Sequence, residues 1–133
     1  TRENFTERVR EITNGQGVAA VYDSVGQATF MGSLDCLRRL GRMVSFGNAS
    51  GPVQAFDPGI LAAEGSLFLT RPSLMAYTAE RADLVASAGE LFEVVLNGAV
   101  KIEVRQTYPL AETAQAHRDL EARKTTGSTV LLP

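Results

Sequence analysis

Val44-Ser45-Phe46-Gly47-Asn48-Ala49-Ser50-Gly51 is a short apolar strand that stops abruptly in small, turn-forming residues. Val44 and Phe46 suit a pleated core strand. Gly47, Asn48 and Gly51 permit positive φ and let a flat ligand approach bare backbone. In a parallel α/β sheet, ligands sit at this carboxyl edge of the strands. The same ending occurs on both sides: Tyr22-Asp23-Ser24-Val25-Gly26 closes the preceding apolar run, and Thr70-Arg71-Pro72-Ser73-Leu74 closes the next.

Outward from this segment the pattern alternates between strand and helix. Asn4 with Glu7 has the spacing of a capping box, and Phe5, Val9 and Ile12 share one helix face until Asn14-Gly15. Val18 to Val25 is a β-branched apolar run and predicts a buried strand. Ala28, Met31, Leu34, Leu37 and Leu40 recur at helical steps, which predicts a helix reaching Gly41. Met43 to Phe46 is the next strand. Asp57-Pro58 opens a short helix through Ala63, and Ser66 to Arg71 is a third strand. This order implies parallel strands joined by right-handed crossovers.

The pattern then changes. Thr78 is placed to cap a long helix bearing Leu84, Val85, Ala88, Leu91, Phe92, Val95 and Leu96, which Asn97-Gly98 stops. Val100 to Thr107 alternates like a half-exposed strand, and Pro109 breaks it. Ala111 to Lys124 predicts a helix with Ala114, His117 and Leu120 on one side, and Thr129 to Leu132 a closing strand. These last elements form an appendage that needs a surface outside the parallel sheet.

Composition narrows the function. A chain of 133 residues with 44% hydrophobic content holds one domain or part of one. A net charge of −2 offers no basic field for nucleic acid. No apolar run approaches the ~20 residues of a membrane span. The start lacks secretory character and lacks Met, so the chain is expected to begin inside a longer product. Its one cysteine, Cys36, excludes an internal disulfide and a cysteine-cluster zinc site, in keeping with a reducing, cytoplasmic setting.

Gly15-Gln16-Gly17-Val18-Ala19-Ala20 matches the string of a dinucleotide fingerprint, but it leaves a helix and opens a strand. Pyrophosphate recognition needs the reverse order, so the motif is rejected. No Walker loop, Ser–His–Asp arrangement or His–Glu–His metal spacing is present, and a single histidine rules out histidine-rich catalysis.

Four blocks carry a family resemblance: AVYDSVG (Ala20 to Gly26), SLDCLRRLGRMVSFGNASG (Ser33 to Gly51), SLFLTRPSL (Ser66 to Leu74) and YPLAETAQAHRDLEARKTTGSTVLLP (Tyr108 to Pro133). In order and spacing they resemble the C-terminal portion of NADPH:quinone oxidoreductases, the zeta-crystallin-like, zinc-free branch of the medium-chain dehydrogenase/reductase superfamily. The resemblance implies a partial Rossmann fold, the second half of a doubly wound parallel sheet, over residues 1–107. It implies that 108–133 packs back on a GroES-like substrate domain. The family's glycine loop, second strand and substrate domain have no counterpart here.

The implied cofactor is NADPH and the implied substrate a quinone, with an activated alkene as the nearest alternative. A different-class alternative is a non-catalytic oligomerisation or structural module. By resemblance, Ser24 and Val25 lie near the nicotinamide ribose. Phe46, Gly47, Asn48, Ala49 and Ser50 face the cofactor. Arg71, Pro72, Ser73 and Leu74 lie at its nicotinamide end, and Arg123 reaches it. No residue is assigned as a catalytic acid, base or metal ligand.

Plainer readings stand beside these. Ser24 can cap the next helix, Gly47 to Ser50 can be a simple turn, and Arg71 can be a solvated strand-end charge. Arg123 can serve the dipole of a helix end. His117 and Cys36 read as packing residues. Asp23 is not assigned, because the family's ribose-binding acid follows a strand missing from this chain. The strand Ser66 to Arg71 should be an unprotected sheet edge, and the family joins two sheets there, so a homodimer through 66–71 is expected.

Overall fold

The computed structural model describes residues 3–133; Thr1 and Arg2, which open the expected nucleotide-binding segment, lie outside them. The chain divides into two compact units, Thr1–Ala79 and Glu80–Pro133.

The first unit runs α1 (Phe5–Ile12), β1 (Val18–Asp23), α2 (Phe30–Asp35), β2 (Leu37–Ser45), α3 (Gly59–Ala63), β3 (Phe68–Thr70) and α4 (Leu74–Tyr77). The three strands form one parallel sheet in the order β1-β2-β3. The expected strand–helix alternation and parallel pairing are therefore present. Asn4 caps α1 through its side chain, which accepts from the Thr6 amide at 3.1 Å. Asp57 does the same for the Gly59 amide at the start of α3, at 2.8 Å.

The core is small. Phe30 and Leu34 from α2 meet Leu37 and Met43 from β2, and Leu67 closes the cluster just before β3. Met43 is wholly buried. Phe30 also contacts Phe56, ring centroids 5.0 Å apart. Burying such side chains stabilises the fold by roughly 25 cal/mol per Å² of apolar surface removed from water, and this layer seats α2 on the sheet.

The second helix is shorter than its periodicity predicts. It stops at Asp35, and Leu37 already pairs with Val18 in the sheet. The helical spacing of Leu34, Leu37 and Leu40 runs across a true helix end. Two contacts enforce that end. The Val18 amide donates to the Cys36 carbonyl at 2.9 Å, and Gly17, at φ +77°, has no Cβ to block that carbonyl. The extra residues between Leu37 and Arg42 are absorbed by an irregularity in the ladder, where Leu40 takes φ +61°. Gly15 to Ala20 accordingly joins α1 to β1, as the rejection of the fingerprint required. Cys36 is buried at the C-cap of α2, where burial pushes its thiol pKa up.

The outer strand is also shorter than expected, Phe68–Thr70 rather than Ser66 to Arg71. It lies at the sheet edge, with Phe68 exposed and the Arg42 guanidinium 6.0 Å from its ring centroid.

The second unit contains α5 (Arg81–Leu96), β4 (Val104–Pro109), a 3-10 turn (Leu110–Glu112), α6 (Thr113–Glu121) and β5 (Ser128–Leu132). Thr78 does not cap α5. Its hydroxyl donates back to the Leu74 carbonyl at 2.8 Å and closes α4, leaving Glu80 at the N-cap of α5. The apolar side chains of α5 are present as read, but none is buried among the described residues.

Strands β4 and β5 are parallel, with α6 between them in sequence, and Pro109 ends β4 opposite Leu132. On α6 it is Ala116 that is buried; Ala114 and His117 are exposed, contrary to the face predicted for them. Leu120 is exposed as well, and the half-buried positions Thr113 and Asp119 share the Ala116 face, one residue from the set predicted. Tyr108 donates to Asp119 at 3.0 Å, and Lys124 reaches the same carboxylate at 3.3 Å. Together they tie β4 to α6 and to the residues that follow it.

Candidate nucleotide-binding edge

The three strand ends of the first unit converge on one edge, and two loops there are stitched together. Asp23 ends β1 and is buried. Its Oδ1 accepts from the amides of Val25 at 2.8 Å and Gly26 at 2.9 Å. Its Oδ2 accepts from the hydroxyls of Thr29 and Ser33, both at 2.8 Å. Burial alone would raise the carboxyl pKa; the four donors more than reverse this and hold it below the usual carboxylate range.

The loop after β2 rests on this turn. The amides of Phe46 and Gly47 donate to the Asp23 carbonyl at 2.9 and 3.3 Å. Ala49 donates to the Ser24 carbonyl at 3.2 Å, and Ser50 to the Val25 carbonyl at 2.8 Å. The Ser50 hydroxyl donates to the Val25 carbonyl and accepts from the Ala28 amide, at 2.8 and 2.9 Å. Gln27 closes the ring by donating to the Gly51 carbonyl at 3.1 Å.

Glycine is required where the loops touch. A Cβ on Gly47 would collide with the Ser24 backbone, 2.7 Å from its Cα. Gly26, at φ +89°, would place one 2.6 Å from the Gly51 carbonyl oxygen. The third strand end joins through Arg71, whose guanidinium donates to the Ser45 carbonyl at 2.7 Å.

Beside this edge lies an open, mainly apolar cavity of about 520 Å³. Ser45, Asn48 and Arg71 give it a polar side, opposite Phe30, Phe56 and Leu69.

The structure thus gathers Ser24, Val25, Phe46, Gly47, Asn48, Ala49, Ser50 and Arg71 on neighbouring strand ends, with Pro72, Ser73 and Leu74 following β3 into α4. Arg123 belongs to the second unit, where it follows α6 at φ +57°. Ser24 caps no helix; α2 begins at Phe30, with Thr29 at its N-cap. Ser50 spends its hydroxyl on the loop itself. Asp23, unassigned from sequence, is the residue that shapes the edge. Its signal is an Asp at a strand end, followed by Gly26, Thr29 and Ser33 at the spacing of a turn and the first turn of a helix.

Residues 1–131 match the zinc-binding dehydrogenase family. The chain belongs to that family. It is 50% identical over 133 residues to the quinone oxidoreductase of Salmonella typhimurium, covering 98% of this chain and 41% of that protein. It is 44% identical over 134 residues to a 2-haloacrylate reductase of Burkholderia, covering 98% of this chain and 40% of that one. The Escherichia coli quinone oxidoreductase, solved in complex with NADPH, superposes with a TM-score of 0.88 at 48% identity, over 99% of this chain and 41% of that structure.

The chain therefore spans about two fifths of the length of these relatives, and its parallel sheet corresponds to their Rossmann-like nucleotide-binding half. Despite the family's description, the described residues contain no group of three His, Cys, Asp or Glu able to hold a metal ion. They do not fit zinc, and no step is derived through it. No helix among them is long and apolar enough to cross a membrane.

Replacing Asp23 by Ala strands two amides and two hydroxyls in a buried site and should cost about 3 kcal/mol of stability, read by urea denaturation. The pH dependence has a definite sign. A carboxyl lowered by folding contributes stability above its unfolded value of about 3.9 and loses it as pH falls through the folded value. Asp23→Asn should flatten that acid limb, and an unchanged limb would show that Asp23 is not the group responsible.

Proposed function

We propose that this chain is the C-terminal part of an NADPH-dependent quinone reductase and supplies the nicotinamide side of its cofactor site. The observation that carries this reading is the pair of hydrogen-bonded loops at the carboxyl edge of a parallel sheet, in a chain with half its residues identical to a quinone oxidoreductase. That edge is the general ligand position of open α/β sheets.

The residues present suit such a cofactor. Gly47 lets the loop seat directly on the Ser24 backbone, which fixes the edge that a ligand would meet. The Ser24 hydroxyl and the Asn48 carboxamide are exposed and make no hydrogen bond among the described residues, so both are available to a ligand. Backbone groups of 71–74 can hold a carboxamide, and Val25, Phe46, Ala49 and Ser50 frame the same edge. Arg123 is carried as a cofactor contact on the family resemblance alone.

NADPH, when bound, supplies the reducing equivalents. The chain's own residues orient the nicotinamide and limit its motion, which is where a protein without its own acid or base contributes to rate. We assign 1–107 to the nucleotide-binding half and 108–133 to a segment that packs back on a substrate domain. The activated-alkene reading has one specific support, the 44% identity to a 2-haloacrylate reductase. We place the protein in the cytoplasm and expect it to form a homodimer through β3.

Two measurements test this. NADPH titration should give weak binding and no quinone turnover for the 133-residue chain. Both should be restored when the chain replaces the matching segment of the Salmonella relative. A chimaera that folds but does not bind NADPH would overturn the cofactor assignment. For the dimer, Leu69→Pro and the gentler Phe68→Glu, which sets a charge on the exposed edge, should each yield monomer in sedimentation. An unchanged dimer in both would remove β3 from the interface.

A further inference from the structure

We propose that Asp23 is a positioning residue for the 46–51 loop, a segment to which its side chain makes no hydrogen bond. Only the functional consequence of this rests on the cofactor reading above; the structural coupling does not.

The 46–51 loop has little internal structure. Of its amides, Phe46, Gly47, Ala49 and Ser50 all donate to carbonyls of residues 23–25. Its one internal backbone bond is Gly51 to the Asn48 carbonyl, at 2.9 Å. The loop is therefore a cast of the turn beneath it. That turn is shaped by the Asp23 carboxylate, which holds Val25 and Gly26 through Oδ1 while Thr29 and Ser33 grip Oδ2 from the α2 side.

If the carboxylate is weakened, the carbonyls of Ser24 and Val25 lose their fixed direction. The loop above then loses its template. The tolerance is narrow, because Gly26 and Gly47 bring the two backbones to distances at which no side chain fits. Asp23 cannot act as a ligand-binding acid in this state. It is buried, and both oxygens are already bonded twice. Its influence on a bound cofactor is exerted through Asn48 and its neighbours.

A residue that merely anchors α2 predicts something different, and Ser33 supplies the control. Ser33→Ala removes one of the same four bonds, on the helix side only. Asp23→Asn keeps the shape and an Oδ1 for the Val25 and Gly26 amides, but those bonds lose their charge assistance, which makes them roughly half as strong. Its Nδ2 donates, so the Thr29 and Ser33 hydroxyls must turn to accept.

The experiment is amide hydrogen exchange on the 133-residue chain and its variants, with NADPH titration of the same samples. Asp23→Asn should speed exchange at Ala49 and Ser50 by about fivefold or more, the effect of losing roughly 1 kcal/mol locally. Met43 and Val44 in β2 should accelerate less than these two amides, by no more than the loss of global stability, and Ser33→Ala should accelerate Ala49 and Ser50 no more than β2. If Asp23→Ala folds, its effect should be larger at the same two amides.

Equal acceleration across β2, or no acceleration at Ala49 and Ser50, would overturn the inference. NADPH affinity should fall in Asp23→Asn and not in Ser33→Ala. Selective exchange with no NADPH binding by any sample, the Salmonella chimaera included, upholds the positioning role and defeats the cofactor reading. Equal NADPH binding with unchanged exchange does the reverse.

Discussion

A single buried carboxylate organises the carboxyl edge of this sheet. Taking an ionised Asp out of water is unfavourable unless its oxygens are fully bonded. Asp23 meets that condition with two amides and two hydroxyls. The same four bonds that make the charge tolerable also dictate the path of the chain from β1 to α2. The loop after β2 then takes its shape from that path, and Arg71 ties the end of β3 to the end of β2. The apolar core below is modest, so polar bonding at the strand ends contributes much of the definition of this unit.

The alternation of strand and helix was legible in the sequence because β-branched runs such as Val18 to Val25 and the turn residues after them are local signals. The strand-end loops were legible for the same reason, as small residues collect where backbones approach. The end of α2 was not. Leu34, Leu37 and Leu40 keep helical spacing through the point where Val18 claims the Cys36 carbonyl, and that pairing partner lies outside any local window. The role of Asp23 was hidden differently. A lone acid at a strand end looks the same whether it faces a ribose or its own turn, and only the positions of Thr29 and Ser33 decide. The cap of α5 is not legible from Thr78, because a Thr hydroxyl can bond backward as readily as forward, and here it closes α4.

The second unit follows similar physics with fewer buried groups. Its β4–β5 pair is held by backbone bonds, by Gln106 reaching the Thr126 carbonyl and the Thr129 hydroxyl, and by Gly127, where a Cβ would strike the Glu103 carbonyl. The buried face of α6 centres on Ala116, a small residue whose burial hydrophobic spacing alone does not single out. On α5, Leu84, Val85, Leu91, Phe92 and Leu96 are exposed, while Ala88 and Val95 are half-buried. The chain spans about two fifths of its relatives' length.

The central claim is that the Asp23 turn and the 46–51 loop form one energetic unit. A double-mutant cycle tests it directly, combining Asp23→Asn with Ser50→Ala and reading stability by urea denaturation. The two side chains do not bond each other, so independent contributions would simply add. Coupling through Val25, whose amide bonds Asp23 and whose carbonyl bonds Ser50, should give an interaction energy of about 1 kcal/mol. Additivity within about 0.3 kcal/mol would contradict the account.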